Sequence, residues 1–102
     1  MEKDEFRVID NGPRRRYELR IGETVVGFIA YQTEPGAVVL LHTDVDPVFE
    51  GRGFGSRLVA GAFEDIRARG LSLVPICPFV SSYLRRHPED ADLVAPDPAT
   101  MT

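Results

Sequence analysis

The residues Gly51-Arg52-Gly53-Phe54-Gly55-Ser56 lie between an apolar, strand-like run at residues 38–45 and an amphipathic run at residues 57–69. A glycine-rich turn at the entrance of a helix suits anions. The first amides of a helix lack intrahelical partners and carry a partial positive charge, and glycines let the backbone come close and adopt positive φ. The spacing is not the Gly-x-x-x-x-Gly-Lys-Ser/Thr of a nucleoside-triphosphate loop, and no lysine follows Lys3. Nor is it Gly-x-Gly-x-x-Gly, because the glycines fall at positions 51, 53 and 55 and no βαβ unit begins the chain. On the motif alone, a phosphate cradle and an ordinary strand-to-helix connection both stand.

The elements around the turn narrow the choice. Residues 6–10 read as a short edge strand, broken by Asn11-Gly12-Pro13. Residues 16–21 and 25–33 form a hairpin about Gly22-Glu23, with Val26, Phe28 and Ala30 expected on one face. Glu34-Pro35-Gly36 then turns into the strand at 38–45, completing an antiparallel meander. From Ser56 onward, Leu58, Val59, Ala62, Phe63 and Ile66 recur at helical spacing, with Arg67 and Arg69 near the C-terminal end and Gly70 as the stop. The near-continuous apolar run at 71–77 reads as a buried strand, parallel to the strand before the crossover. Residues 81–86 read as a short helix with Val80 and Leu84 inward, ended by His87-Pro88. Residues 95–102 read as a disordered tail, leaving one domain at 1–94.

Composition sets the outer limits. A chain of 102 residues holds one sheet with one or two covering helices. The net charge of −4 and the absence of a large basic cluster argue against nucleic acid as a partner. Arg14-Arg15-Arg16, the one basic run, reads as a solvated turn. No segment approaches the roughly 20 apolar residues that span a bilayer, and the N-terminus has no signal-like apolar stretch, so a cytoplasmic protein without a membrane partner is expected. The single cysteine forms no internal disulfide, which agrees with a reducing compartment.

A second cluster, Pro75-Ile76-Cys77-Pro78-Phe79-Val80 followed by Arg86-His87-Pro88, completes a recognisable order with His42-Thr43-Asp44-Val45 and Glu50-Gly51-Arg52-Gly53-Phe54-Gly55-Ser56. The chain resembles the GCN5-related N-acetyltransferases, in particular a small single-domain branch of roughly 100 residues, over about residues 17–94. Gly53 and Gly55 fit the glycines of that superfamily's pyrophosphate motif, Gln/Arg-x-x-Gly-x-Gly/Ala. Glu50 departs from it, standing where Gln or Arg is usual. The resemblance implies an α+β fold: a mixed, mainly antiparallel sheet with a splayed parallel strand pair, one main helix after the glycine loop and a short C-terminal helix.

It also implies roles. Acetyl-coenzyme A would lie between the splayed strands, its pantetheine arm on Asp44 and Val45. Its pyrophosphate would lie on Glu50, Gly51, Arg52, Gly53, Phe54, Gly55 and Ser56. Cys77 would close the other splayed strand, and His42 shares a face with Asp44, two residues on. An imidazole titrates near neutrality, so His42 suits removal of a proton from an incoming amine, or activation of Cys77 as a nucleophile. Direct transfer is the family habit and the favoured reading. Tyr83 is a further candidate, for protonating the departing thiolate. Plainer readings stand beside these: Cys77 as a small core residue, His42 as a hydrogen-bonded one, Tyr83 as packing and Arg85-Arg86-His87 as a solvated helix end or a contact for the cofactor's 3′-phosphate. The resulting expectation is an acetyl-coenzyme A-dependent N-acetyltransferase with an unidentified amine acceptor and no metal, a monomer or weak homodimer. Its rival is a non-catalytic module that binds coenzyme A or an acyl-coenzyme A and acts through a protein partner.

Overall fold

The computed structural model describes residues 6–49 and 51–96. Strands β1 (Phe6–Asn11), β2 (Arg16–Ile21), β3 (Thr24–Glu34) and β4 (Ala37–Val45) follow one another as an antiparallel meander. A crossover through helix α1 (Phe54–Ala68) brings β5 (Ser72–Pro75) alongside β4 in parallel. The sheet is thus mixed and ordered β1-β2-β3-β4-β5, with the short helix α2 (Pro78–Arg86) after it.

The helical spacing singled out the residues that α1 buries: Leu58, Val59, Ala62, Phe63 and Ile66. They pack on Tyr17, Leu19, Ile29, Leu40 and Leu73 from the sheet. Each fully buried leucine or isoleucine contributes about 2 kcal/mol of apolar transfer, which is why this one helix face anchors the sheet. Gly61 lets the helix approach β1, since a Cβ there would collide with the Val8 side chain. At the far end Gly70 takes a left-handed φ of 69°, and Leu71 N–H returns to the Ile66 carbonyl, closing the helix as a glycine cap does.

Two irregularities overturn the simple alternation expected of β3. The register shifts between Leu19 and Arg20, so that Leu19 faces Gly27 while Arg20 faces Val25. Val26 is the extra residue, and a bulge moves every later side chain to the other face. The inward residues of β3 are therefore Val26, Ile29 and Tyr31, whereas Phe28 and Ala30 lie on the outer face, away from α1. A second shift falls between Ala30 and Tyr31, opposite His42 and Leu40, and leaves Leu41 unpaired.

β5 is shorter than the apolar run suggested. Pro75 is the last residue in register, opposite Leu40, and proline brings no N–H to extend a ladder. The next two amides, of Ile76 and Cys77, both turn to the Leu40 carbonyl, at 3.1 and 2.9 Å. Cys77 is thus the extended residue before α2, not the end of a strand, and Pro78 occupies the first helical position, where a missing N–H costs nothing. The helix starts three residues before the expected 81 and buries Val80 and Tyr83, with Leu84 half-buried beside them. A 3-10 turn, Pro88–Leu93, then returns the chain to β5, where Val94 bridges Leu73 and Ala95 N–H donates to the Leu73 carbonyl at 2.7 Å. Of the expected tail, residues 97–102 lie outside the described part.

Candidate active site

The divergence of β4 from β5 creates the site. Beyond Leu40 the five residues 41–45 of β4 have no β5 partner. Asp46 N–H bonds back to Val26 on β3. Because backbone groups of alternate residues point to alternate sides of a strand, those of Thr43 and Val45 face the open side. Leu41, the bulged residue, sets the side-chain phase. Before it Val38 and Leu40 point into the core, and after it Thr43, opposite Ile29, points the same way.

Thr43 and Val45 form one wall of a pocket of about 350 Å³, whose other walls are Phe49, Phe54, Phe79, Ser56 and the backbones of Gly51, Gly53 and Gly55. Three aromatic rings and bare glycine backbone give it an apolar throat and a polar end. The polar end is the N-terminus of α1. Gly53 is the N-cap, in the left-handed region at φ 77°, and supplies no side-chain cap. No acidic residue lies in the first turn, and the first intrahelical bond runs from Arg57 N–H to the Gly53 carbonyl. The amides of Phe54, Gly55 and Ser56 therefore have no helical acceptor. Gly51, at φ 81°, makes the preceding turn and itself lines the pocket. At Gly55 a Cβ would come within 2.7 Å of the tip of the Phe79 ring, so a larger residue there would push on this wall. These features fit the pyrophosphate and pantetheine of a coenzyme A thioester, with an anion at the helix end and an extended chain along the free edge of β4.

Among the expected site residues, Val45, Gly51, Gly53, Phe54, Gly55 and Ser56 line this pocket together. Arg52 is exposed on the turn and is not part of the wall, and Glu50 lies outside the described residues. The Asp44 side chain, opposite Phe28, faces the outer side of the sheet and borders a separate depression with Arg16, Phe28 and Asp46. His42 is also on that outer face, exposed, with its ring edge-on to Phe28 at 6.3 Å. Cys77 is buried on the inner side, its sulfur 3.1 Å from the Thr43 hydroxyl. His42 and Cys77 are therefore separated by the sheet. Tyr83 stacks on His87 at 4.0 Å and meets Phe63 edge-on at 5.4 Å, one turn of α2 beyond Phe79. Burial, with Asp90 and Glu89 nearby, raises its phenol above the usual range.

Thr43, Phe49 and Phe79 line the pocket without having been anticipated. Simple alternation pairs Thr43 with the wrong neighbours because the bulge is silent in the sequence. Phe79 reads as one more core residue of an apolar run. On the outer face Glu18 is 1% exposed, although charged. Burial pushes its carboxyl up, but hydrogen bonds from Arg20, Arg16 and Asn11 outweigh that and hold it at about 2. Among the described residues no group of three or more His, Cys, Asp or Glu is placed to hold a metal, and no helix is long and apolar enough to cross a membrane.

Comparison with solved structures places this architecture. A GCN5-like protein of Staphylococcus aureus, solved by NMR, superposes with a TM-score of 0.67 over 99% of this chain and 97% of its own, at 17% identity. The ribosomal-protein-S18-alanine N-acetyltransferase of Escherichia coli superposes over 63% of this chain with a TM-score of 0.54 and 23% identity. Ard1 of Thermoplasma volcanium does so over 61%, with a TM-score of 0.50 and 25% identity. The chain spans 43% of the length of each of these last two proteins. In sequence, the profile of the GCN5-related N-acetyl-transferases matches residues 16–93, a stretch that contains the diverging strands, the glycine turn and both helices, and so the chain belongs to that family.

Proposed function

We propose that the pocket holds acetyl-coenzyme A and that the chain passes the acetyl group to an amine by direct transfer. The observation that carries this reading is the uncapped N-terminus of α1, with no first-turn acid, opening into a pocket beside the free edge of β4. A helix end left without side-chain partners is stabilised by an anion. Bound acetyl-coenzyme A supplies an acetyl group activated as a thioester. The amides of Phe54, Gly55 and Ser56 hold its pyrophosphate, with Arg52 as an exposed cation beside the turn, while the backbones of Thr43 and Val45 hold the pantetheine arm. His42, on the opposite face at the same stretch of β4, takes the proton of the incoming amine. Tyr83 is the proton donor in this reading. Direct transfer is favoured over an acyl-cysteine because the Cys77 sulfur is buried against Thr43 and has no imidazole beside it. A cytoplasmic setting belongs to the same proposal.

One observation favours the rival reading, a non-catalytic module that binds coenzyme A. His42, Cys77 and Tyr83 do not converge on the pocket wall. Thermal unfolding with and without acetyl-coenzyme A tests the shared part of both readings, with dephospho-coenzyme A and ATP as controls. At 100 times the dissociation constant binding adds about 2.7 kcal/mol, a rise of many degrees for a domain of this size. No selective rise leaves the glycine turn purely structural. A rise without loss of acetyl to any amine, indifferent to His42→Ala, selects the module over the enzyme.

A further inference from the structure

Among the described residues that line the pocket beside α1, only Thr43 and Ser56 carry a side-chain hydroxyl. Ser56 stands in the first turn of α1, at the polar end, whereas Thr43 stands on β4. The two strands part at Leu40, whose carbonyl accepts the amides of Ile76 and Cys77, so the cleft narrows from Val45 through Thr43 to a vertex at Leu40 and Cys77. An extended arm anchored by its anion at the start of α1 and laid along β4 therefore brings its far end to Thr43.

The group behind Thr43 decides how its hydroxyl acts. Cys77 is 2% exposed, and its sulfur lies 3.1 Å from Thr43 Oγ1, its one polar side-chain partner among the described residues. Oxygen is the better acceptor of the pair and sulfur a weak one, so the thiol donates to the hydroxyl. Accepting from behind leaves the Thr43 O–H free to donate forward, into the pocket that it lines. The β-branched carbon allows Thr43 few rotamers, and this bond selects among them. On the opposite face of the same stretch His42 is exposed. An amine that gives its proton to His42 arrives from that outer face, and the inner face is left to the departing group.

Resting on the transferase reading above, we infer that Thr43 is the hydrogen-bond donor to the thioester sulfur of acetyl-coenzyme A and that Cys77 is the positioning residue that aims it. In transfer a C–N bond forms and the C–S bond breaks, with its electron pair staying on sulfur. The amine proton goes to His42, and Tyr83 supplies the proton of the free thiol as proposed above. Thr43 keeps its own proton and stabilises the charge while it sits on sulfur, as hydrogen bonds to charged groups do. Cys77 forms no bond to the acetyl group.

Coenzyme A itself is the probe, because its thiol ionises and desulfo-coenzyme A has none. A donor at Thr43 favours the ionised sulfur. The affinity ratio of coenzyme A to desulfo-coenzyme A, measured by calorimetry, should rise between about pH 7 and about pH 9.5 by roughly tenfold more in the wild type than in Thr43→Val. Thr43→Ser should restore the rise. Cys77→Ala should lose most of it, while Cys77→Ser, which still donates, keeps it. A merely structural cysteine would move the melting temperature and leave the ratio alone. An unchanged ratio in Thr43→Val, no rescue by Thr43→Ser, or a ratio indifferent to Cys77→Ala overturns the inference and leaves the cofactor assignment standing. No binding of either compound removes the transferase reading and this inference with it. A Thr43-dependent rise in a protein that transfers acetyl to no amine keeps the contact with sulfur and removes the enzyme.

Discussion

At its C-terminal end α1 is tied to the sheet by a polar network, while at its N-terminal end the contacts are aromatic, Phe54 and Arg57 on Phe6, and no side chain caps the backbone amides. Asp65 accepts from the Tyr17 hydroxyl at 2.7 Å and pairs with Arg69 at 2.9 Å. Arg69 reaches Asp10 on β1 at 2.8 Å, Asp10 accepts from the Tyr31 hydroxyl, and Arg67 meets Asp90 and Asp92 after α2. Cations in the last turn also suit the helix dipole. The first turn has the reverse character: a left-handed glycine cap, no acid and Arg57 drawn aside over Phe6 at 4.6 Å. Polar contacts are thus concentrated at the end away from the pocket, and the end left uncapped opens into it. The difference teaches that a missing cap, in a helix whose other end is so fully partnered, is a functional signal.

The contrast is broken most severely by filling the open end. Gly53→Asp places a carboxylate where an anion should dock, in a backbone conformation that suits glycine, and acetyl-coenzyme A affinity measured by calorimetry should fall about 100-fold or more, while the ligand-free protein loses only about 1–2 kcal/mol. Similar affinities for wild type and variant would contradict an anion site. Asp65→Ala attacks the tied end. It strands the buried Tyr17 hydroxyl and releases Arg69, so urea unfolding should show a loss of about 2 kcal/mol with cofactor affinity within twofold of wild type. A matching loss of affinity would mean that the two ends are one unit.

A smaller effect comes from pH. Burial first, then the hydrogen bond to Asp10, push the Tyr31 phenol up to about 12, and burial with Asp65 raises Tyr17 as well. A tyrosine raised in the folded state favours folding while it is neutral. Its contribution is complete below the unfolded value near 10 and is lost as pH climbs from there to about 12. Tyr31→Phe should flatten that alkaline limb by about 1 kcal/mol in urea titrations at pH 9 and pH 12, and an unchanged slope would remove Tyr31 from the network's energetics. The smallest change has the most telling sign. Ser56→Glu adds a first-turn acid and should stabilise the free protein by about 0.3–1 kcal/mol, yet weaken acetyl-coenzyme A. Stabilisation without weaker binding would place the cofactor elsewhere.

Much of this contrast is legible in the sequence. Leu58, Val59, Ala62, Phe63 and Ile66 announce the buried face of α1, because helical periodicity survives any error in the strands. Gly51, Gly53 and Gly55 announce the turn. What escapes reading are features set by pairing between distant segments. The bulges at Val26 and Leu41 exist only in register with β2 and β3, so Phe28 is misplaced inward and Thr43 is passed over. Pro75 does mark the end of β5, but the hydrophobicity of Ile76 and Cys77 outweighs it in a pattern-based reading. Phe79 becomes a pocket wall only once α2 is packed against Gly55.

Leu41 governs more of the molecule than its own side chain suggests. It acts as the phase setting of the last stretch of β4, deciding which of two interleaved sets of residues addresses which cavity. Drawn into the ladder instead of bulging out of it, Leu41 would turn His42 and Asp44 to the inner face and Thr43 and Val45 to the outer one, without altering any of the four. The chemistry of both faces would trade places across a single backbone. One backbone position that pairs or stays out of the ladder thus decides which chemistry faces which cavity.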